Sequence, residues 1–308
     1  MRNIQPLVSV IICNYNYSQY IGEAIESVLN QTHKNIELII VDDGSIDDSR
    51  EVIKGFVEKH PAIRYFRQSN KGIVATRNYG MRLAKGDFLC FLDSDDYFDH
   101  DYIENFLKFA IKNNTDIVYG DSHMFSDDGK ISKKSIFPDY LPETLKAVNI
   151  INICSLVKTK VAHKQSFDAH LNRQSHEDWD FFLGLALSGA KIAHLKGNYL
   201  HYRIKPDSRN NFRTIQQYQK TYNYVVDKYS KKYPQEFAEI NQNWEREREI
   251  GLQGVQIYVA RLNIAIAEKD VAIAQKEEQL SSILSSASYK IGRTITAPIR
   301  AIKKVLRR

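Results

Sequence analysis

Cysteine is scarce in this sequence, and long apolar runs are absent. The three cysteines among 308 residues, Cys13, Cys90 and Cys154, are too few and too scattered for a disulfide framework or a zinc site. No stretch of about 18 apolar residues exists, which excludes a membrane-spanning helix. The start, MRNIQPLVSV, lacks the apolar segment and cleavage site of a secretory signal. These absences predict a protein of a reducing, cytosolic compartment.

An excess of positive charge is also missing from most of the chain. The formal net charge is +6, but residues 288–308 contain seven Lys and Arg and no acidic residue. Residues 1–287 therefore sum to −1, the total less the seven charges of that tail. A body without basic excess argues against nucleic-acid binding by the folded part. The composition, 43% hydrophobic and 26% charged, is that of a globular protein with a sizeable core.

The first 120 residues alternate short apolar runs with helical periodicity. Apolar runs at 7–13, 36–41 and 88–92 suit strands that are buried on both faces of a parallel sheet, and shorter candidates lie at 63–66 and 116–119. Helices are predicted at 19–29, 47–58, 73–84 and 101–112. This rhythm predicts an α/β doubly wound, mostly parallel sheet. Ligands of such sheets bind beyond the carboxyl ends of the strands.

Two acids directly follow the second predicted strand. The carboxylates of Asp42 and Asp43 could accept hydrogen bonds from a base imide or a ribose hydroxyl, and Gly44 lets the backbone turn. A turn followed by a helix N-cap uses the same residue types. Receiver-type signalling domains also place paired acids at a strand end. The cluster alone leaves these alternatives open.

A second acidic cluster, Asp93-Ser94-Asp95-Asp96, follows the strand at 88–92. Acids two residues apart can both turn toward one hard cation, because Mg²⁺ and Mn²⁺ prefer oxygen ligands and commonly bridge to phosphate. A solvated loop that caps the next helix is the alternative. Burial of so much negative charge without a counter-ion is unfavourable, and this favours the cation.

A third cluster, HEDWD at 176–180, opens an apolar helix that is predicted from residue 177 to 187. A carboxylate at a helix start is stabilised as the anion by the helix dipole. Asp178 could therefore act as a general base toward a hydroxyl, or serve only as a cap. A strand is predicted near 199–204 and a Gln- and Tyr-rich helix at 214–228.

In combination these motifs resemble the family 2 glycosyltransferases. The resemblance covers residues 6–210 and is carried by VSVIICNYN at 8–16, SVLNQT at 27–32, VDDGS at 41–45, NKG at 70–72, ATRN at 75–78, LDSDD at 92–96 and EDWD at 177–180. It implies a GT-A fold, in which helices flank a Rossmann-like, mostly parallel central sheet. It also implies a nucleotide-sugar donor, a divalent metal (Mn²⁺ or Mg²⁺) and an inverting transfer.

The resemblance implies donor contacts at matching positions. Tyr15 and Asp43 correspond to contacts with the nucleotide base, and Asp42 lies beside them. Arg77 corresponds to the residue that braces the nucleotide. The stretch HYRIK at 201–205 resembles the segment that closes over the diphosphate. Many relatives have a histidine where this chain has Lys205, which can neutralise phosphate but cannot bind a metal while protonated.

The resemblance also implies the metal ligands and the base. Asp93 and Asp95 correspond to the D-x-D pair around Ser94, a donor contact, and Asp95 is the more direct metal ligand, with Asp96 as a helper. Asp178 corresponds to the catalytic base. The metal would stabilise the charge of the departing nucleoside diphosphate, while Asp178 takes the proton of the attacking hydroxyl.

The last part of the chain has a different pattern. Apolar residues recur at steps of three and four from Leu252 to Ala287, with Lys269 and Lys276 at two of these positions. We expect 251–287 to form a coiled coil that makes a homo-oligomer; a single amphipathic helix lying on its own domain is the alternative. Isoleucines at helical spacing among basic residues predict that 288–308 lies on an anionic membrane surface. A solvated or partner-bound basic end is the alternative.

These expectations divide the chain into five parts. Residues 1–120 would bind the nucleotide sugar, 121–215 the acceptor, and 216–250 would form a helical linker before the coiled coil and the tail. The expected protein is a cytoplasmic enzyme, peripheral at the inner face of the cell membrane. It would transfer a hexose-type sugar, with a UDP-sugar as the first donor to test, to a glycan or lipid-linked acceptor in cell-surface polysaccharide synthesis.

Two other functions stay open. A sugar-nucleotide nucleotidyltransferase would use a related sheet, but its glycine- and arginine-rich phosphate loop is absent near the N-terminus. A nucleotide-binding scaffold, organised by the coiled coil, would have no need of the intact DSD and EDWD motifs. No nucleic-acid partner is expected.

Overall fold

The computed structural model describes residues 5–126, 131–205, 215–238 and 275–276. The chain divides into two units, Met1–Ile240 and Asn241–Arg308. The predicted coiled coil at 251–287, apart from residues 275 and 276, and the predicted tail at 288–308 lie outside the described residues. The sheet and the helices that position the acidic clusters all belong to the first unit.

Half of the sheet is parallel, as the apolar runs predict. Its four strands lie in the order β3-β2-β1-β4. Their bounds are β1 (Val8–Asn14), β2 (Ile36–Asp42), β3 (Arg64–Arg67) and β4 (Phe88–Asp93). Every residue of β1 is buried, and so are most of β2 and β4, because helices cover both faces of a parallel sheet.

The other half of the sheet is mixed. Its strands are β5 (Tyr97–Phe98), β6 (Ile117–Phe125), β7 (Ile131–Ser135), β8 (Leu156–Lys158) and β9 (Ile192–Arg203). β8 runs antiparallel to both β4 and β6, β9 is parallel to β6, and β5 and β7 are antiparallel edge strands. The prediction of a mostly parallel sheet is therefore wrong beyond β4. A short connection explains the antiparallel pairing of β7, since β6 and β7 are separated by five residues and a parallel pair needs a crossover of a dozen or more.

Eight α-helices and one 3₁₀ turn are present in the described residues. They are α1 (Ser18–Leu29), α2 (Ser49–Lys59), α3 (Ile73–Leu83), α4 (Tyr102–Asn113), α5 (Pro142–Ala147), α6 (Thr159–Ala162), the 3₁₀ turn Ala169–Leu171, α7 (Glu177–Leu187) and α8 (Ile215–Lys232). None of the described helices has the length and apolar character that crossing a bilayer requires.

Helix α3 lies very close to the central strand β1. A Cβ atom at Gly80 would stand 2.4 Å from the Ile11 side chain, so a residue without a side chain is needed there. This approach fixes the position of Arg77, one turn earlier on the same helix, beneath the carboxyl end of the sheet.

After its acidic first turn, helix α7 is apolar on all sides, as is typical of a helix that is buried in a core. Phe181, Phe182 and Leu185 are each at most 1% exposed. Helix α8 packs against α7: the Tyr229 hydroxyl donates to the Asp180 carbonyl at 2.7 Å, and Lys228 pairs with the Asp180 carboxylate at 2.6 Å. The start of the segment predicted as a linker thus belongs to the same unit as the sheet.

Candidate active site

Three strands of the parallel half end side by side in polar residues. In the strand register Asn14 of β1 is opposite Asp42 of β2, and Cys13 is opposite Asp93 of β4. The carboxyl ends of β1, β2 and β4 therefore bring the first two acidic clusters to one edge, as the strand–helix alternation predicts. Tyr15 follows β1 at this edge and is 42% exposed.

Asp42 and Asp43 have different hydrogen-bond partners. The fully buried Asp42 carboxylate accepts hydrogen bonds from the Ser45 amide at 3.0 Å and from the Arg67 guanidinium at 3.1 Å. The Asp43 carboxylate accepts from the amides of Lys71 and Gly72 at 2.8 and 2.7 Å. Asp43 thereby fixes the loop that starts α3, while Asp42 fixes its own turn.

Arg77 joins the second and third acidic clusters. Its guanidinium is buried and contacts the Asp93 carboxylate through Nη2 at 3.0 Å and the Glu177 carboxylate through Nη1 at 3.0 Å. Burial acts to lower the pKa of Arg77, but the two carboxylates raise it, and the net shift is upward. A single arginine therefore links the loop after β4 to the first turn of α7.

The loop after β4 is held by the end of β9. The Arg203 amide donates to the Asp96 carboxylate at 2.8 Å, and the Arg203 guanidinium donates to the Asp95 carbonyl at 2.9 Å. Burial, followed by the nearby Asp95 and Asp93, raises the pKa of Asp96 well above its usual range. Lys205 forms an ion pair with the Asp95 carboxylate. Ser94, between the two aspartates, is buried.

Asp178 lies in the first turn of α7, next to the Glu177–Arg77 contact. One of its oxygens accepts a hydrogen bond from the Trp179 amide at 2.8 Å. Burial and the neighbouring Glu177 carboxylate raise the pKa of Asp178 to about 6, although Arg77 acts in the opposite direction. A carboxylate whose pKa is close to neutrality is suited to accept a proton from a hydroxyl.

His176 anchors the start of α7. It has a left-handed backbone (φ 68°), and its Nδ1 lies 2.7 Å from the Thr221 hydroxyl of α8. Burial lowers the pKa of His176 to about 4, so the imidazole is neutral at pH 7. Sequence reasoning assigned no role to His176, because its partner in α8 is 45 residues away.

The donor atoms at this edge fit a hard divalent cation in their chemistry. Asp93 and Asp95 are oxygen ligands, and their side chains are 25% and 19% exposed. In the described part of the chain, no three His, Cys, Asp or Glu side chains are grouped so that they could hold a metal ion. Arg77 and Lys205 instead balance the charge of these two carboxylates.

Sequence reasoning missed two other residues of this site. Glu177 is part of the EDWD motif, yet its partner Arg77 lies 100 residues away and the pairing has no local signal. Arg203 stands in the HYRIK stretch, and its two contacts with the Asp95–Asp96 turn are equally non-local. The only sequence signal for Glu177 and Arg203 was that each lies inside a motif with a candidate function.

Solved structures of glycosyltransferases share the fold of this chain. Mannosyltransferase PcManGT from Pyrobaculum calidifontis, solved with GDP-Man and Mn²⁺, aligns with a TM-score of 0.60 and 15% identity over 96% of this chain and 85% of that one. TarS from S. aureus, solved with UDP-GlcNAc, aligns with a TM-score of 0.57 and 19% identity over 71% and 66%. The α/β fold is thus that of the GT-A glycosyltransferases.

The family follows from the sequence comparison. The model described as Glycosyl transferase family 2 matches residues 9–175, more than half of the chain. This chain belongs to glycosyl transferase family 2 and is a glycosyltransferase. The matched stretch contains the first two acidic clusters and ends just before Glu177 and Asp178.

Relatives support the family assignment. An uncharacterized glycosyltransferase of Haemophilus influenzae is 36% identical over 182 residues, which are 58% of this chain and 71% of that protein. The putative glycosyltransferase EpsH of Bacillus subtilis is 30% identical over 70% of this chain and 64% of its own length. Chondroitin synthase of Escherichia coli is 34% identical over 60% of this chain, but the match spans 27% of that protein.

Proposed function

We propose that this glycosyltransferase moves a sugar, with inversion, from a nucleoside-diphosphate donor to a hydroxyl of a glycan or lipid-linked acceptor. The observation that carries the proposal is the Asp93–Arg77–Glu177 bridge, with 3.0 Å at each contact. It holds the carboxylate loop at the edge of the sheet and the candidate base Asp178 within the span of one arginine side chain. A donor bound at the loop then presents its reacting carbon to a hydroxyl beside Asp178.

Residues of the bridge and next to it have separate roles in this reaction. Asp178 accepts the proton of the acceptor hydroxyl as that oxygen attacks the sugar carbon, and the nucleoside diphosphate departs on the opposite face. Arg77 keeps the two halves of the site in register. When bound, a Mn²⁺ or Mg²⁺ ion held by Asp93 and Asp95 would supply Lewis-acid stabilisation of the diphosphate charge.

UDP-sugars are the first donors to test. TarS of S. aureus is solved with UDP and with UDP-GlcNAc, whereas PcManGT is solved with GDP-Man. Tyr15, Asp42 and Asp43 stand at the edge where a base would bind. Tyr15 and Asp43 are the proposed partners of the base: Asp43 Oδ2 accepts one hydrogen bond, from the Gly72 amide, and a carboxylate oxygen can accept a second.

The acceptor proposal rests on the relatives and on the end of the chain. Chondroitin synthase of E. coli makes a polysaccharide, as its name states, and we propose a cell-surface polysaccharide as the product here. A coiled coil at 251–287 would make the homo-oligomer. The basic residues of 288–308 would hold the enzyme at the inner face of the cell membrane, near lipid-linked acceptors.

A donor screen followed by a base variant tests the proposal. UDP-, GDP- and dTDP-sugars are titrated with and without Mn²⁺, and binding is read as an increase in melting temperature. The donor that binds is then used to measure nucleoside-diphosphate release with a candidate acceptor. Absence of stabilisation by every nucleotide sugar would contradict the proposal.

Asp178→Asn keeps the shape of the side chain and removes the base. We expect turnover to fall by about 10²–10⁴-fold, the usual contribution of a general base, while donor affinity stays unchanged. Asp227→Asn, the same change at an exposed position of α8, is the matched control. Normal turnover in Asp178→Asn would leave Asp178 as a structural residue of α7.

A further inference from the structure

The ammonium group of Lys205 forms an ion pair with the carboxylate of Asp95, the residue expected to be the more direct metal ligand of the D-x-D pair. The Lys205 side chain is 11% exposed and pairs with Asp95 through Nζ and Oδ2. The same Nζ lies 3.6 Å from the centroid of the Tyr17 ring and 5.3 Å from that of Tyr20. A cation over an aromatic face is attracted by the ring, so both rings hold the ammonium beside the carboxylate.

The backbone of β9 brings Lys205 to this position. Arg203 donates its amide to Asp96 and its guanidinium to the Asp95 carbonyl, at 2.8 and 2.9 Å. These two bonds fasten the end of the strand to the turn after β4. The backbone position of Lys205, two residues further along, is therefore set by the contacts of Arg203, and its side chain reaches Asp95 from there.

We infer that Lys205 and a divalent cation compete for the Asp95 carboxylate, and that Lys205 thereby sets how strongly the enzyme depends on metal. This inference rests on the proposed function. An ammonium and a divalent cation on the same carboxylate repel each other at contact distance, so each weakens the binding of the other. A cation that binds Asp95 releases the Lys205 ammonium, which then stays on its Tyr17 platform and faces the diphosphate. Without a metal, Lys205 itself is the cation beside the donor phosphates.

Mn²⁺ binding in the absence of donor tests the competition directly. Free Mn²⁺ is measured by electron paramagnetic resonance during titration of the parent chain of 308 residues, of Lys205→Met and of Lys205→Arg. Lys205→Met should bind Mn²⁺ at least about tenfold more tightly than the parent does. One charge at about 4–6 Å typically changes an ionisation or binding equilibrium by about tenfold or more, and this estimate takes the low end. Lys205→Arg keeps the charge and should bind as weakly as the parent.

The matched control is Lys196→Met, which removes the same charge from an exposed ion pair with Asp139. It should leave Mn²⁺ affinity unchanged, so a gain seen in Lys205→Met alone is not an effect of net charge. If Lys205→Met is not folded by circular dichroism, Lys205→Gln repeats the test. Equal Mn²⁺ affinity in the parent and the neutral variant overturns the inference, as does a lack of Mn²⁺ binding by both.

A second readout uses inorganic pyrophosphate, which probes the phosphate contacts without any base or sugar. In EDTA the parent and Lys205→Arg should bind pyrophosphate measurably by calorimetry, and Lys205→Met should lose at least about tenfold in affinity. Retained pyrophosphate affinity in Lys205→Met would overturn the role of Lys205 toward the diphosphate. Failure of the proposed function is distinguishable, because it shows as a lack of binding of every nucleotide sugar while the Mn²⁺ titration is still readable.

Discussion

Replacement of Arg77 should destabilise the fold more than replacement of any exposed charge. Arg77 is 2% exposed and contacts two carboxylates, Asp93 and Glu177, at 3.0 Å each. In Arg77→Met the side chain keeps most of its volume, but Glu177 is left buried without this cation. Removal of one partner of a buried ion pair costs about 3–5 kcal/mol of unfolding free energy. Since Asp93 is 25% exposed and recovers part of its hydration, we expect about 3 kcal/mol, the low end of that range.

Two further variants separate charge from geometry. Arg77→Lys keeps the charge but cannot bridge two carboxylates with a fixed fork, so it should lose one charged hydrogen bond, about 1.5–3 kcal/mol. In Arg77→Met with Glu177→Gln the uncompensated charge is gone. The loss of unfolding free energy in this double variant should be smaller than the sum of the losses in the two single variants, by a coupling energy of about 0.5–3 kcal/mol.

The assay is urea unfolding of the full chain, followed by the fluorescence of tryptophan. Trp179 is buried two residues after Glu177 and reports on the start of α7. If the slope of the unfolding free energy against urea concentration is the same in parent and variant, the shift of the urea midpoint gives the change in unfolding free energy. Arg77→Met within about 1 kcal/mol of the parent, the worth of an exposed pair, would refute the reasoning. Equal losses in Arg77→Met and Arg77→Lys would show that geometry and not charge is the important property.

Three other predictions follow from particular residues. Asp178 must be ionised to accept a proton and its pKa is raised to about 6, so kcat/KM should fall as the pH drops through about 6. The residual activity of Asp178→Asn should lack this fall, and a parent profile that is flat down to pH 4.5 would contradict the prediction. Gly80→Ala should lower the free energy of unfolding by about 1–3 kcal/mol, because the added methyl group clashes with Ile11, whereas Gly55→Ala, which has open space around it, should raise it by about 0.5–1 kcal/mol. Urea unfolding measures both, and the reverse order would refute the packing argument. Removal of 288–308 should abolish flotation with anionic liposomes and keep the oligomer seen by sedimentation, while undiminished flotation would exclude a membrane role for this tail.

The parallel half of the fold could be predicted because its strands are buried on both faces. The bounds of β1, β2 and β4 differ from the apolar runs by one residue, and α7 matches its predicted span of 177–187. The mixed half could not be predicted in this way. β5 has two residues and β8 three, too few for any periodicity to appear, and the sequence holds no signal for the antiparallel insertion of β8 between β4 and β6.

The candidate site was predictable in its location and not in its pairings. Carboxylates at strand ends must meet at one edge of a parallel sheet, so the positions of Asp43 and Asp93 follow from the strand pattern. The pairing of Arg77 with Glu177 spans 100 residues, and that of Lys205 with Asp95 spans 110. Such contacts depend on how β9 and α7 return to the edge, which is decided by packing of the whole unit.

Acidic groups outnumber basic groups at this edge. Five carboxyl groups stand there: Asp93, Asp95, Asp96, Glu177 and Asp178. Three basic side chains meet them: Arg77, Arg203 and Lys205. One of the three, Arg203, also pairs with Glu23, so acids outnumber bases even before a donor arrives.

A nucleoside diphosphate brings further negative charge to a region that already has an excess of it. Burial, together with nearby acids, raises the pKa of Asp96 and of Asp178, which is the response of carboxyl groups that lack full compensation. We therefore expect donor binding to need a cation that faces the phosphates. Arg77 is committed to its two carboxylates in the interior, and Arg203 to Glu23 and the turn after β4. Arg77 and Lys205 each pair with a proposed ligand of a divalent ion, Asp93 and Asp95 respectively. Arg77 is held a second time, by Glu177, so we propose that the exchange between a basic side chain and the divalent ion takes place at Asp95.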